Sequence, residues 1–188
     1  MIEITSEQIE KVHLLLNNIP RGAEKALSSV ISRANNTVKT EVIKGITDVY
    51  SISQKNIRAD TNIKMQTKNT GDGIVGTVLF AGYKLPLYRF NVSPKKPSQK
   101  SMVKASLMKS NTQTPFEHAF IAQMKSGHIG VFKRDTGKRF PVSEYMGLST
   151  AQMARNSVVL EKVEEAAQET INKRIEHEIS RILNGYGG

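Results

Sequence analysis

The chain has 188 residues, of which 38% are hydrophobic and 6% aromatic, with no tryptophan and a formal net charge of +10. That length suits a single domain, 1–188, but the core is thin for it, so part of the chain is expected to gain order from neighbours. The absence of cysteine excludes disulfides, zinc–thiolate sites and thiol catalysis, and no apolar run approaches bilayer length, so no membrane contact is expected.

Residues 1–60 read as helical. The start, Met1-Ile-Glu-Ile-Thr-Ser-Glu, is polar and acidic with no apolar leader behind a basic one, as in a soluble protein of a reducing host cytoplasm. Thr5 and Gln8 have capping-box spacing and precede Ile9, Val12, Leu16 and Ile19, which predicts a first helix ending near Pro20. After it Ala23, Leu27, Val30, Ala34, Val38, Val42, Ile46 and Val49 keep a helical period with Ser, Asn, Lys and Glu opposite, a long helix with a narrow apolar face. Ser51 and Gln54 repeat the capping spacing, for a short third helix to about Asp60.

Residues 61–145 read as β-rich. Ile63-Lys-Met-Gln-Thr alternates, Gly73-Ile-Val-Gly-Thr-Val-Leu-Phe is β-branched, and Asn69-Thr-Gly-Asp-Gly between them supplies a hairpin turn. Leu85-Pro-Leu-Tyr-Arg-Phe is apolar at alternate positions, and its proline makes it an edge strand or an extended docking segment. The basic loop 91–104 contains Ser93-Pro-Lys-Lys-Pro-Ser-Gln-Lys-Ser, with two prolines, three lysines and no apolar period, as in a mobile loop or arm. Val103-Lys-Ala-Ser-Leu-Met returns as a strand. Phe120-Ile-Ala-Gln-Met and His128-Ile-Gly-Val-Phe-Lys-Arg, joined through Lys125-Ser-Gly127, lead through the turn Asp135-Thr-Gly-Lys138 to Phe140-Pro-Val142, a three-stranded meander.

Residues 146–188 close the chain as one helix. Ser149 and Gln152 form another capping-box pair, and Leu160, Val163, Ala167, Ile171, Ile175, Ile179 and Ile182 mark one face. The fold class is therefore α+β: an antiparallel sheet in the middle of the chain, flanked by long amphipathic helices at both ends.

Catalytic chemistry is absent from these patterns. Between Gly130 and Arg139 a Gly-Lys pair occurs, but six residues separate the glycines and Arg139 stands where a magnesium-holding hydroxyl belongs, so no phosphate-binding P-loop is present. His13, His118, His128 and His177 have no partner at metal spacing, and His177, between Glu176 and Glu178, belongs to a charged helix face. No serine sits in a nucleophile elbow, and the carboxylates Glu161, Glu164 and Glu165 are the solvated side of an amphipathic helix. No enzyme, metal or cofactor is expected.

Charge is the functional lead. Residues 1–72 carry ten basic and eight acidic groups, 73–116 seven and none, 117–145 five and three, and 146–188 five and six. The acid-free block supplies Lys84, Arg89, Lys95, Lys96, Lys100, Lys104 and Lys109, and the following turn adds Lys133, Arg134, Lys138 and Arg139. Flexible cations suffice for sequence-independent phosphate contact, so these are the candidate DNA- or partner-contacting residues; the plainer reading is a solvated loop, since no aromatic platform is interleaved. Long helices on a thin core also favour oligomerisation.

The run Ala119-Phe-Ile-Ala-Gln-Met-Lys-Ser-Gly-His-Ile-Gly-Val-Phe-Lys-Arg, then Gly137-Lys-Arg-Phe-Pro-Val142 and Gly147-Leu-Ser-Thr-Ala151, resembles the minor tail protein Z family of long-tailed phages and prophages. Leu85-Pro-Leu-Tyr-Arg-Phe90 resembles the family's Pro-Leu-x-x-Phe element, while Leu148 stands where the family commonly has proline. The similarity runs from about Pro20 to about Ile182 in order of elements and is specific over 119–151. It implies a structural protein of the virion tail that completes the tail at the head-proximal end of the tube. The partners it implies are tail tube and tail terminator proteins, with a homo-oligomeric ring, a hexamer if it follows the tube, and contact with the DNA end or neck in the lumen. No catalytic or metal residue comes with the family. The alternatives are a head–tail connector or neck protein and a free, non-specific DNA-binding protein.

Overall fold

Thr5 starts the first helix as its spacing predicts: Thr5 Oγ1 accepts the Gln8 N–H at 3.3 Å, and Gln8 Oε1 accepts the Thr5 N–H at 3.0 Å. This is the beginning of a computed structural model that describes residues 4–69, 74–97 and 101–185. The helix, α1 (Ser6–Leu16), buries Val12 and Leu16. Helix α2 (Gly22–Val49) follows; of its expected stripe Ala23, Leu27, Val30, Ala34, Val42 and Ile46 are buried, while Val38 and Val49 are half-buried.

Helix α3 (Gln54–Asp60) begins two residues later than the Ser51 spacing suggests, with Ser53 Oγ accepting the Asn56 N–H at 3.3 Å. The backbone explains the delay. The Ser51 N–H donates to Leu107 O at 2.8 Å and Tyr50 bridges Met108, so the chain is still held extended at 51. Beyond α3, β1 (Asn62–Asn69) and β2 (Ile74–Ala81) form the expected two-stranded sheet. The turn residues Thr70–Gly73 lie outside the described residues, as does Lys100.

The segment Leu85–Phe90 is neither a plain edge strand nor a free docking arm. Leu85–Leu87 is extended against Tyr145–Leu148: the Leu87 N–H donates to Tyr145 O at 2.9 Å, the Gly147 N–H to Leu85 O at 2.7 Å, and Pro86 bridges Met146. Leu87–Arg89 then winds into one 3-10 turn, because the Phe90 N–H closes back on Leu87 O at 3.0 Å. Pro86 fits just before that turn, where its missing N–H costs nothing.

Two three-stranded antiparallel sheets follow. The first has β3 (Asn91–Ser93), β4 (Val103–Ser106) and β5 (Thr114–Phe116) in that order, with Ser93 and Pro115 both opposite Lys104. β5 has no counterpart among the predicted elements; its Pro115 is tolerated because the strand lies at an edge of the sheet. The second is the expected meander: β6 (Ala119–Gln123), β7 (Ile129–Arg134) and β8 (Val142–Glu144), with Phe120 opposite Phe132 and Phe132 opposite Glu144. Leu87, Val92, Val103, Ala105, Ile121 and Val131 form one buried cluster, which Tyr88, Phe116, Ile129 and Tyr145 border.

The C-terminal helix is broken in two. Ser149 caps α4 (Thr150–Ala154) in a full capping box with Gln152, as expected, but the helix stops at Arg155 and α5 (Ser157–Leu183) starts anew. Asn156 makes the break: its Oδ1 accepts the Val158 N–H at 3.0 Å and its Nδ2 donates to Tyr50 Oη at 3.3 Å. The restart also corrects the apolar face, since Val159 is buried and Leu160 is 44% exposed. The fold is thus α+β, with antiparallel sheets in the middle of the chain and helices at both ends.

Two compact units divide the chain. The first gathers Met1–Val42, Ile63–Leu79 and Leu160–Gly188, the second Ile43–Asn62 and Phe80–Val159. In the first, Val12, Leu16, Ala23, Ala26, Leu27, Val30 and Ala34 pack with Ile171, Ile175, Ile179 and Ile182. The hairpin strand β2 rests on α2 at Gly76, where a Cβ would come within 2.6 Å of both Asn35 Oδ1 and Ile31 Cγ2. In the second, Gly147 lies under the ring of buried Phe90, and a Cβ there would meet Phe90 Cε2 at 2.5 Å. Substituting Gly147→Ala is therefore expected to cost about 1–3 kcal/mol by forced displacement of that ring. A lowered urea midpoint at unchanged slope checks it; a midpoint equal to that of the parent shows that the ring gives way freely.

Candidate functional site

The cations singled out in the sequence fall into distinct structural situations, all within the second unit where they are described. Arg89 belongs to the framework. It is half-buried in the 3-10 turn, its Nη1 donates to Asn56 O at 3.3 Å, and its own carbonyl accepts from Asn56 Nδ2 at 3.5 Å, which ties the turn to α3. Lys95 is exposed yet anchored at its head, its Nζ donating to Phe90 O at 3.2 Å, while its carbonyl accepts the Tyr88 hydroxyl at 2.6 Å. The start of the expected mobile arm is therefore laced to the Tyr88–Phe90 backbone.

Lys84, Lys96, Lys104 and Lys109 are exposed. Lys104 sits opposite Ser93 in the sheet register, so the strand end leading to Lys95 and Lys96 and the Lys104 position adjoin across β3 and β4. A second group spans the end of β7 and the turn that leads to β8. Lys133, Arg134, Lys138 and Arg139 are all exposed, with the Lys133 ammonium 5.9 Å from the Tyr145 ring centre and the Arg134 guanidinium 5.3 Å from that of Phe120. Arg134 Nη1 donates to Arg139 O at 2.9 Å, and the Ser143 hydroxyl donates to Asp135 Oδ2 at 2.6 Å, so the turn is internally braced. Its cations are presented from a fixed support, which suits contact with an anionic surface at low ordering cost.

A neighbouring polar pair joins the ends of the two strands. His128 Nε2 and Glu144 Oε1 are 2.7 Å apart across β7 and β8, and Gly130 makes room for them: a Cβ at 130 would collide with Glu144 Oε1. Among the described residues no group of three or more His, Asp or Glu side chains is placed to bind a metal ion. His13, His118 and His177 are exposed and separate. Glu178, expected on the charged face beside His177, is instead 3% exposed, and Arg181 Nε donates to its Oε2 at 2.8 Å.

One feature was missed in the sequence. In the first unit an open groove of about 700 Å³ runs along α2, lined by Arg21, Lys25, Ser28, Ser32, Arg33 and Arg181 among others. The signal was present: Arg21, Lys25, Ser28 or Ser29, Ser32 and Asn36 repeat at helical spacing beside the apolar stripe. A polar helix face is usually plain solvent-facing surface, which is why the spacing alone did not single it out.

A basic turn braced by a meander, an apolar segment threaded against the Gly147 strap and a capped helix start together reproduce the motif order noted in the sequence. Residues 7–186 match the family described as Prophage minor tail protein Z. The chain belongs to that family. No curated protein and no solved structure matches the chain. Family membership makes it a structural component of a phage tail. No helix among the described residues is long and apolar enough to cross a membrane.

The different settings of the cations separate under mutation. Arg89→Ala is expected to destabilise the protein by about 1–3 kcal/mol, because the Asn56 carbonyl loses a charged donor, whereas Lys96→Ala stays within about 0.5 kcal/mol. Urea unfolding of the two variants checks this, and equal losses would place Lys96 in the framework too.

Proposed function

We propose that this tail protein completes the tail at the head-proximal end of the tube, assembled in the host cytoplasm and contacting tube and terminator subunits as a ring of copies. A ring matched to the tube is sixfold if the tube is. The observation that carries the reading is the family match over residues 7–186, which spans both compact units. The charge distribution supports it. A protein that joins a conduit for DNA gains from exposed cations without nearby carboxylates, and 73–116 holds seven basic residues and no acidic one.

In this reading Lys96, Lys104, Lys138 and Arg139 face the DNA end, the neck or an acidic neighbouring ring, while Arg89 and Lys95 hold the surface that presents them. Sheet edges give further assembly surface: β3 and β5 border one sheet, β6 and β8 the other. The triple reversal Lys96→Glu, Lys104→Glu and Lys138→Glu spares the anchored cations. It is expected to keep the parent's circular dichroism and unfolding midpoint while lowering the yield of infectious particles and leaving tails without heads. Parental yield from the folded variant overturns the role assigned to these cations. Tight, salt-sensitive binding of the parent to bare duplex together with indifference to tail tubes would instead mark a free DNA-binding protein.

A further inference from the structure

The α2 groove is lined by Arg21, Lys25, Arg33 and Arg181, by one carboxylate, Glu24, and otherwise by serine and asparagine; Arg181 already answers the buried Glu178, so the positive excess of the groove rests with the other cations. Glu24 already accepts from Asn69 Nδ2 at 3.1 Å. The lining therefore favours an acidic occupant, and hydroxyls between the cations give it neutral hydrogen-bond partners. From residue 22 to residue 36 α2 rises about 21 Å, enough to lie along several turns of another helix.

The densest acidic stretch of this basic chain lies in the same unit. Between residues 161 and 169 α5 carries Glu161, Glu164, Glu165 and Glu169 with only Lys162 of opposite sign. All four carboxylates are exposed, because Val159, Val163 and Ala167 hold the other side of the helix in the core. Glu169 is committed to Lys173, whose Nζ lies 2.6 Å from its Oε1, and this bond and charge hold the Glu169 carboxyl below its ordinary pKa. Glu161 and Glu165 lie one helical turn apart on the exposed side of α5 and offer two adjacent carboxylates. Leu160, 44% exposed, adds an apolar contact beside them.

We infer that the α2 groove of one copy receives the Glu161–Glu165 face of α5 from a second copy. The two surfaces are different patches of one chain, so the contact is head-to-tail: repeated with a rotation that closes, it generates a ring. It is a helix laid in a groove, with opposed charge selecting the partner. The inference rests on the assembly role proposed above only in expecting copies of the chain to meet.

Sedimentation velocity at low and high salt tests it. The parent chain is expected to self-associate at low salt and less so as salt screens the contact. Arg21→Glu with Arg33→Glu is one reversal, and a glutamate at 21 also suits the N-terminus of α2. Glu161→Lys with Glu165→Lys is the other. Each is expected to weaken association about tenfold or more, and the four changes together to restore it, since both signs are then exchanged. A parent that stays monomeric at low salt, reversals without effect, or no recovery in the combined variant each overturn the interface. So does a groove reversal that leaves self-association intact and lowers affinity for duplex DNA, because the groove then takes phosphates. Particle yield separates the two readings. A folded, monomeric parent that still completes tails removes this contact and leaves the tail role standing.

Discussion

In the second unit, the backbone of Leu85–Leu87 approaches that of Tyr145–Leu148 so closely that the ring of Phe90 occupies the space above Gly147. Much follows from this. Pairing fixes where the meander ends, since Tyr145 also donates its N–H to Val131 O at 2.7 Å. It also delivers Leu148 and Ser149 in an extended conformation, and an extended residue is what an N-cap needs. Helix α4 begins there because the strap leaves it no choice, and Asn156 then ends and restarts it with Tyr50 as a fixed partner. The motif residues that are far apart in sequence are thus one mechanical joint.

The first unit answers a different problem, which is how to stabilise long helices with few large apolar residues. Its core couples the alanines of α2, Ala23, Ala26 and Ala34, with the isoleucines of α5, a small-against-branched match that allows close helix approach. The hairpin adds little apolar burial, for most of β1 and β2 is exposed, yet it is pinned by Asn35 Nδ2 donating to Gln66 O at 3.1 Å. Glu178 shows the narrowness of the stripe. At this point the helix turns a carboxylate inward, and Arg181 answers it. A buried charge of this kind is stabilised only while its partner stays in place.

The legible parts of the sequence were those with a local physical cause. Capping boxes at Thr5 and Ser149, the period of α2, the β-branched run of β2 and the glycine turn at 127, with φ 84, each depend on residues within a few positions. What escaped depended on distant partners. Ser51 has a capping spacing that a long-range bond from its N–H to Leu107 overrides. β5 contains Pro115, and only the sheet order makes it an edge strand that tolerates a proline. Asn156 breaks the predicted C-terminal helix through its bond to Tyr50, more than a hundred residues away in the sequence. For the candidate site the same division holds: the exposed cations were identifiable by type and run, but Arg89 and Lys95 take their roles from Asn56 and Phe90, which no charge count reveals.

Charge is consequently not one property of this chain. The acid-free block supplies both struts and exposed heads, so its uniform sign overstates the number of cations available to a partner. Conversely, residues 1–72 are nearly balanced in number, ten basic to eight acidic, yet α2 sorts part of its cations onto one groove. A helix does this because positions three and four apart share a face while neighbours do not. Balance along the sequence can therefore coexist with separation in space, and it is the separated charge that a partner meets. In a structural tail protein with a thin apolar core, such sorted charge is a surface feature that apolar area alone would not provide.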